Sequence, residues 1–243
     1  MAQSSCLVEK LGRFLSLSEA DTALIAELEK DEQSFKAHTK IRPLGWKAEH
    51  LCVVKEGWLY SYRLLPEGRR QVLDVHYPGD VLGMADLPFR EYSIAVETAT
   101  DCCLCPFPKS AMDRVFTQSP RMTALLFTLA LVEQTVLLDR LCALGRMEAR
   151  ERIVYLLLEV QARLRLAGCL DRNRLELPLT QTVIGDMLGL TNVYVSRMFS
   201  ELEDDGLIDR DNGAFLLKEP DQMKTMVDFK DRYAALDTGW FPI

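Results

Sequence analysis

The chain has no run of eighteen apolar residues, and its N-terminus lacks a basic stretch followed by an apolar one. It is therefore read as soluble and cytoplasmic, with no membrane partner and no leader segment. Histidine is scarce, and His38, His50 and His76 stand at no metal-ligand spacing, so no metal is expected. No Gly-rich phosphate loop, no H-E-x-x-H pair and no nucleophile elbow occurs, so an enzyme is not expected either. Internal repeats and low-complexity tracts are also missing. The seven cysteines are odd in number and scattered, which fits reduced thiols better than a disulfide framework.

The net charge of −7 argues against indiscriminate adhesion to polyanions. From Arg146 onward the balance is 13 Lys and Arg against 17 Asp and Glu. Any nucleic-acid contact in that half must come from charge gathered on one face, with weak non-specific affinity and strong salt dependence. With 243 residues, 48% of them hydrophobic, the chain can build one or two domains with proper cores.

Residues 4–31, from Ser4 to Asp31, read as helical. Leu7, Val8, Leu11 and Phe14 recur at helical spacing, and Ser18 caps a second helix carrying Leu24, Ile25 and Leu28. From Ser34 to Phe107 the texture becomes short β segments punctuated by Glu56-Gly57, Pro66-Glu67-Gly68 and Pro78-Gly79-Asp80, which predicts a sandwich or barrel. A long helix then runs from about Ser119 to Leu144. Leu125, Leu129, Val132 and Val136 follow 4-3-4 spacing and are assigned as a dimer seam. A second stripe, Leu131, Leu138 and Leu141, lets one face pack on the β domain and the other on a twin. Gly145 is the expected hinge, before a helix over 148–167 and a short strand within 172–179.

The most informative stretch follows. Pro178 and Thr180 give a helix start signal, Ile184 and Leu188 face inward together, and Gly189 supplies a turn. Thr191 caps a second helix with Val195, Met198 and Leu202 as its buried stripe. Asn192, Val193, Tyr194, Ser196 and Arg197 are left near its start, mostly outward. Such a pair is a helix-turn-helix, whose second helix enters the DNA major groove by its N-terminal end. Leu207-Ile208 and Ala214 to Leu217, around Asn212-Gly213, read as a hairpin wing. The final apolar segment, Asp237 to Ile243, is expected to dock on the protein.

These residues resemble the DNA-binding end of the cyclic-AMP receptor protein/fumarate-nitrate regulator (CRP/FNR) superfamily. Tyr77-Pro78-Gly79-Asp80 and Gly83 stand in that family's sensor positions, and the resemblance runs from about Phe14 to Leu217. It implies an α+β chain: a β jelly-roll sensor of the cyclic-nucleotide-binding type over 1–118, a dimerisation helix and hinge over 119–145, and a winged helix-turn-helix over 146–243. The implied function is sequence-specific DNA binding as a homodimer on a two-fold symmetric site, with activation through contact with RNA polymerase. Thr180, Gln181, Thr191, Asn192, Val193, Tyr194, Ser196 and Arg197 are the candidate DNA contacts. Arg197 occupies the position that reads guanine in relatives, and Val193 replaces a family Glu, so the neighbouring base should differ.

The resemblance also bears on the stimulus. Cyclic-AMP-binding relatives hold ribose with a Glu and phosphate with an Arg–Ser pair, and here Met84 and Tyr92 replace the Glu and the Arg. Arg90 lies nearby as a substitute. The expectation is no dependence on cyclic AMP, no cofactor, and an effector left open. Iron–sulfur relatives use three N-terminal cysteines and a fourth matching Cys103, but only Cys6 lies near the N-terminus. Redox or cluster chemistry at Cys102, Cys103 and Cys105, with Cys6, is one alternative. In the haem-binding relative the ligating positions match Gly83 and Ala85, which cannot ligate. Another alternative is a ligand-binding module that acts on a protein partner and carries a degenerate helix-turn-helix.

Overall fold

Hydroxyl caps open the chain. In the computed structural model, which describes residues 5–170, 172–211, 213–234 and 236–242, Ser5 Oγ accepts the Val8 amide at 3.0 Å to start α1 (Cys6–Gly12). Ser4, Asn212 of the expected wing turn and Ile243 of the tail lie outside the described residues. Ser18 and Asp21 form a capping box on α2 (Glu19–Leu28), satisfying amides that would otherwise be orphaned. Phe14 lies beyond the end of α1 rather than within it.

The β region comprises β1 (Gln33–Phe35), β2 (Lys40–Arg42), β3 (His50–Glu56), β4 (Leu59–Leu64), β5 (Arg70–His76), β6 (Val81–Leu82), β7 (Ala95–Thr98) and β8 (Cys102–Pro108). Among the described residues these build two four-stranded sheets, ordered β1-β8-β3-β6 and β2-β7-β4-β5. Alternation sorts the side chains of β8 onto two faces. Cys102 and Leu104 pack with Val54, Leu59, Leu82 and Val96 between the sheets. Cys105 and Phe107 face the other way, with Leu51 and Val53, onto a core shared with α1, α2, α3 (Ala111–Gln118) and the start of α4 (Pro120–Arg146). A buried ion pair, Lys10 with Asp80, ties α1 to the Tyr77–Asp80 turn, whose Tyr77 amide donates to the same carboxylate at 2.9 Å.

Two compact units emerge: Met1–Arg63 with Leu73–Leu131 and Leu236–Ile243, and Leu64–Val72 with Val132–Ala235. The expected docking of the tail is explained by Phe241, which is buried in the helical core of the first unit. In the second unit α5 (Ala149–Ala167) is buried along most of its length, as an apolar helix enclosed by its neighbours must be. Two of its buried charges are paired. Arg140 Nε donates to both oxygens of Glu159, at 3.0 and 2.9 Å, and Arg163 meets Glu133 at 2.7 Å and the Tyr233 hydroxyl at 2.8 Å.

Two sequence expectations change. The α4 seam assigned from spacing faces the chain's own interior: Leu125 is 0% exposed, Leu129 packs on the same core, and Val136 is buried, with Val132 half-buried. The bare face carries Phe127, Leu131, Leu137, Leu138 and Leu141 instead. Both stripes are apolar at coiled-coil spacing, so spacing alone could not tell which one the N-terminal helices would cover. Gly145, the expected hinge, lies inside α4, and the chain turns afterwards at Met147-Glu148, where Glu148 and Glu151 form the capping box of α5. By length and composition α4 could also cross a membrane.

Candidate nucleic-acid interface

The geometry of the second unit is set by its caps and one close approach. β9 (Arg174–Glu176) leads into α6 (Gln181–Leu188), where Thr180 Oγ1 accepts the Val183 amide at 3.2 Å. Gly189 closes α6 with φ +68°, a left-handed conformation that glycine adopts without strain. Within α6, a Cβ on Gly185 would collide with the Leu190 carbonyl. Only glycine lets the turn pass so near the helix. α7 (Asn192–Asp204) then starts at Thr191, whose Oγ1 accepts the Tyr194 amide at 3.3 Å.

Burial of Val195, Met198, Phe199 and Leu202 fixes the rotation of α7. Val193 is consequently 74% exposed, and Asn192, Tyr194 and Arg197 are exposed with it, while Ser196 is half-buried. Gln181, Asn192, Val193, Ser196, Arg197 and Ser200 line one shallow concavity. Six of the eight sequence candidates are thus outward at the start of α6 or α7, and the remaining two, Thr180 and Thr191, cap those helices. Arg197 Nε meets Glu201 Oε1 at 2.8 Å, an exposed i,i+4 pair of little energetic weight. That contact engages one edge of the guanidinium and leaves its Nη groups for a larger partner. A wing follows: β10 (Ile208–Asp211) and β11 (Ala214–Leu217) pair antiparallel, with β9 on the far side of β11. Phe215 of the wing stacks on Phe199 of α7 with ring centroids 4.6 Å apart, so the wing is fixed to the recognition helix.

In the first unit, the loop after β6 turns at the expected glycine. Gly83 adopts φ +90° and begins a short 3-10 turn, Met84–Asp86. The Ser93 amide and hydroxyl both donate to Asp86 Oδ1, at 3.0 and 2.7 Å, and Asp86 is buried. A cyclic phosphate placed on Ser93 would meet this carboxylate, and Tyr92 beside it donates its hydroxyl to the His50 carbonyl at 3.0 Å. Arg90 is exposed. These residues do not fit a cyclic nucleotide held in the usual way, because a buried anion beside a second anion is strongly disfavoured.

The three strand cysteines are divided rather than gathered. Cys102 faces the inter-sheet core and Cys105 the helical core. Burial pushes the Cys105 thiol up to about 12. It also raises those of Cys102 and Cys103, the latter helped by the Glu32 carboxylate. All three shifts disfavour the thiolate that redox and ligation chemistry require. Among the described residues no group of three or more His, Cys, Asp or Glu is placed to hold a metal. Sequence reasoning missed Arg42, which is 3% exposed at the end of β2, whereas Lys40 at the other end of the same strand is exposed.

A β sandwich and long helix followed by a winged helix-turn-helix define a DNA-binding transcriptional regulator with a cyclic-nucleotide-binding-like domain. The comparisons agree: residues 151–226 match the Crp-like helix-turn-helix domain and residues 32–119 the cyclic nucleotide-binding domain. The nitrogen fixation regulation protein FixK of Bradyrhizobium diazoefficiens is 34% identical over 174 residues, 71% of this chain and 72% of that protein. The transcriptional activatory protein AadR of Rhodopseudomonas palustris is 36% identical over 162 residues, 66% of each chain. The solved structure of FixK2 from Bradyrhizobium japonicum superposes with a TM-score of 0.72 at 28% identity, covering 80% of this chain and 96% of that one. The chain belongs to the CRP/FNR family of transcriptional regulators. Its members are not enzymes.

Proposed function

We propose that the protein is a cytoplasmic, homodimeric activator of transcription that reads a two-fold symmetric DNA site and does not depend on cyclic AMP. The observation that carries the reading is the concavity of Gln181, Asn192, Val193, Ser196 and Arg197 at the N-terminal end of α7. An α-helix end of this kind fits the major groove, where Arg197 pairs with guanine O6 and N7 and Val193 offers methyl contact. The names of its relatives, activators among them, favour activation, which would act through RNA polymerase. Independence from cyclic AMP is favoured by Met84, Tyr92 and the Ser93–Asp86 pairing. Homodimerisation is assigned to the bare face of α4, through Phe127, Leu138 and Leu141, because Leu125 and Val136 are already consumed by the chain's own interior.

Selection of bound sequences from random DNA tests the reading. The wild type should enrich an inverted repeat with a firm guanine in each half. Arg197→Ala should lose ~1–3 kcal/mol of discrimination at that guanine and little elsewhere. Equal weakening on all sequences would make Arg197 a phosphate contact and defeat the assignment. Leu138→Glu should place two carboxylates in an apolar seam and give a monomer by sedimentation, without specific binding.

A further inference from the structure

The segment after Met226 binds two helices at once, and it lies beyond residues 151–226, where the helix-turn-helix match ends. In the second unit α5 folds back along α4 from the Met147-Glu148 turn. The ion pairs show this: Arg140 meets Glu159, while Glu133, earlier in α4, meets Arg163, later in α5. α5 in turn carries the reader, since Arg152 Nη1 donates to the Leu188 carbonyl at the end of α6, at 3.1 Å. Residues 229–233 touch both helices. Arg232 donates to both carboxylate oxygens of Asp139 on α4, at 2.7 and 3.0 Å. Asp231 meets Arg165 of α5 at 3.2 Å, and the Phe229 ring lies edge-on to Tyr155 of α5, centroids 5.3 Å apart. Tyr233 is 7% exposed, and its hydroxyl donates to Glu133 of α4 at 2.9 Å and accepts from Arg163 of α5 at 2.8 Å. A lone exposed ion pair would add little. Here the contacts share one turn of backbone, in which the Asp231 carboxylate accepts the Tyr233 amide at 3.1 Å. A buried hydroxyl between a carboxylate and a guanidinium cannot shift without leaving both less well satisfied.

We propose that residues 231–233 are a strap that fixes the angle between α4 and α5, with Tyr233 as the positioning residue. This role rests on the homodimer proposed above. In a dimer joined through α4, the angle at which α5 leaves that helix sets the separation of the two α7 ends. Without the strap, the Met147-Glu148 turn is steadied only by the side-chain pairs between the two helices. The strap therefore governs the spacing between half-sites, while Arg197 and Val193 govern the bases within each. One added base pair moves a half-site by ~3.4 Å and turns it by ~35° about the duplex axis, so a rigid angle admits one spacer.

Two measurements on the full-length chain test the strap. Nitroxide labels on the two exposed thiols, Cys142 of α4 and Cys169 just beyond α5, report the angle without DNA. Labelled chains diluted into unlabelled protein should give one narrow distance distribution, and Tyr233→Phe with Arg232→Ala should broaden it. An unchanged distribution overturns the proposal. Should the double variant fail to fold, Arg232→Ala alone decides by the same distances, because that side chain is 39% exposed. The second measurement is competition binding to inverted repeats of varied spacer. The wild type should favour one spacer about ten-fold over neighbours one base pair longer or shorter, the weight of one charge-assisted hydrogen bond. The double variant should discriminate less than about three-fold and keep its guanine preference in each half. Affinity lost equally for all spacers overturns the role in spacing. A wild type that selects no inverted repeat defeats the DNA-reading proposal instead, and the distances still decide the strap.

Discussion

Two loops of this molecule turn on a glycine that a larger residue could not replace, and their surroundings have diverged. At the α6–α7 turn, Gly185 lies against the Leu190 carbonyl, and the neighbouring side chains fit DNA reading: Thr191 caps, Arg197 and Val193 point outward. At the loop after β6, Gly83 lies against Arg42, and Met84, Tyr92 and the Asp86-bound Ser93 stand at the positions that hold a cyclic nucleotide in the relatives that bind one. The backbone of a loop is fixed by sterics that hold whatever the loop binds. Its side chains answer to the ligand alone and can change while the frame stays.

The sharpest way to break this comparison is to attack the frame. Asp80 anchors the turn that leads into β6 and pairs with buried Lys10, so Asp80→Ala should strand a buried cation and cost ~3–5 kcal/mol, seen as a fall in Tm. A loss below half of that would mean the frame is held elsewhere. Gly185→Ala should cost ~1–3 kcal/mol by overpacking the turn and should weaken binding to all DNA sequences alike, unlike Arg197→Ala. The smallest expected effect sharpens the contrast most. Met84→Glu with Tyr92→Arg should not produce calorimetric heat with cyclic AMP while Asp86 remains, and adding Asp86→Asn should produce it. Binding by the double variant would show that the buried carboxylate is no obstacle.

The helix-turn-helix was legible because its determinants are local. Caps at Thr180 and Thr191, the turn glycine and the inward stripe of α7 all lie within twenty-odd residues, and each has one physical reading. A sandwich or barrel was legible from turn punctuation, while the jelly roll and the meaning of Met84 and Tyr92 came from the family resemblance. What stayed hidden depends on partners distant in sequence. Leu125 and Leu131 carry equal hydrophobicity, and only the packing of α1 and α2 decides which of their stripes is covered. Cys102 and Cys105 look like members of one cluster until the two sheets and the helices claim opposite faces of β8. Arg42 meets Leu82, Gly83 and Tyr92 only after the sandwich closes. The buried Asp86 likewise escaped notice, since its spacing to Ser93 has meaning only in the folded loop.

Phe241 has a bearing on how the protein is made. The rest of the core it enters, from Leu7 to Leu125, precedes it by the whole length of the DNA-reading half. Because a chain leaves the ribosome N-terminal end first, the β sandwich and its helices emerge long before the aromatic residue that completes them. When those elements emerge, the seat of Phe241 in their core is still vacant. A product cut short after α8 (Pro220–Met226) would carry a vacant apolar seat on its first unit, a mark by which proteases and chaperones could remove regulators that sense but cannot finish folding.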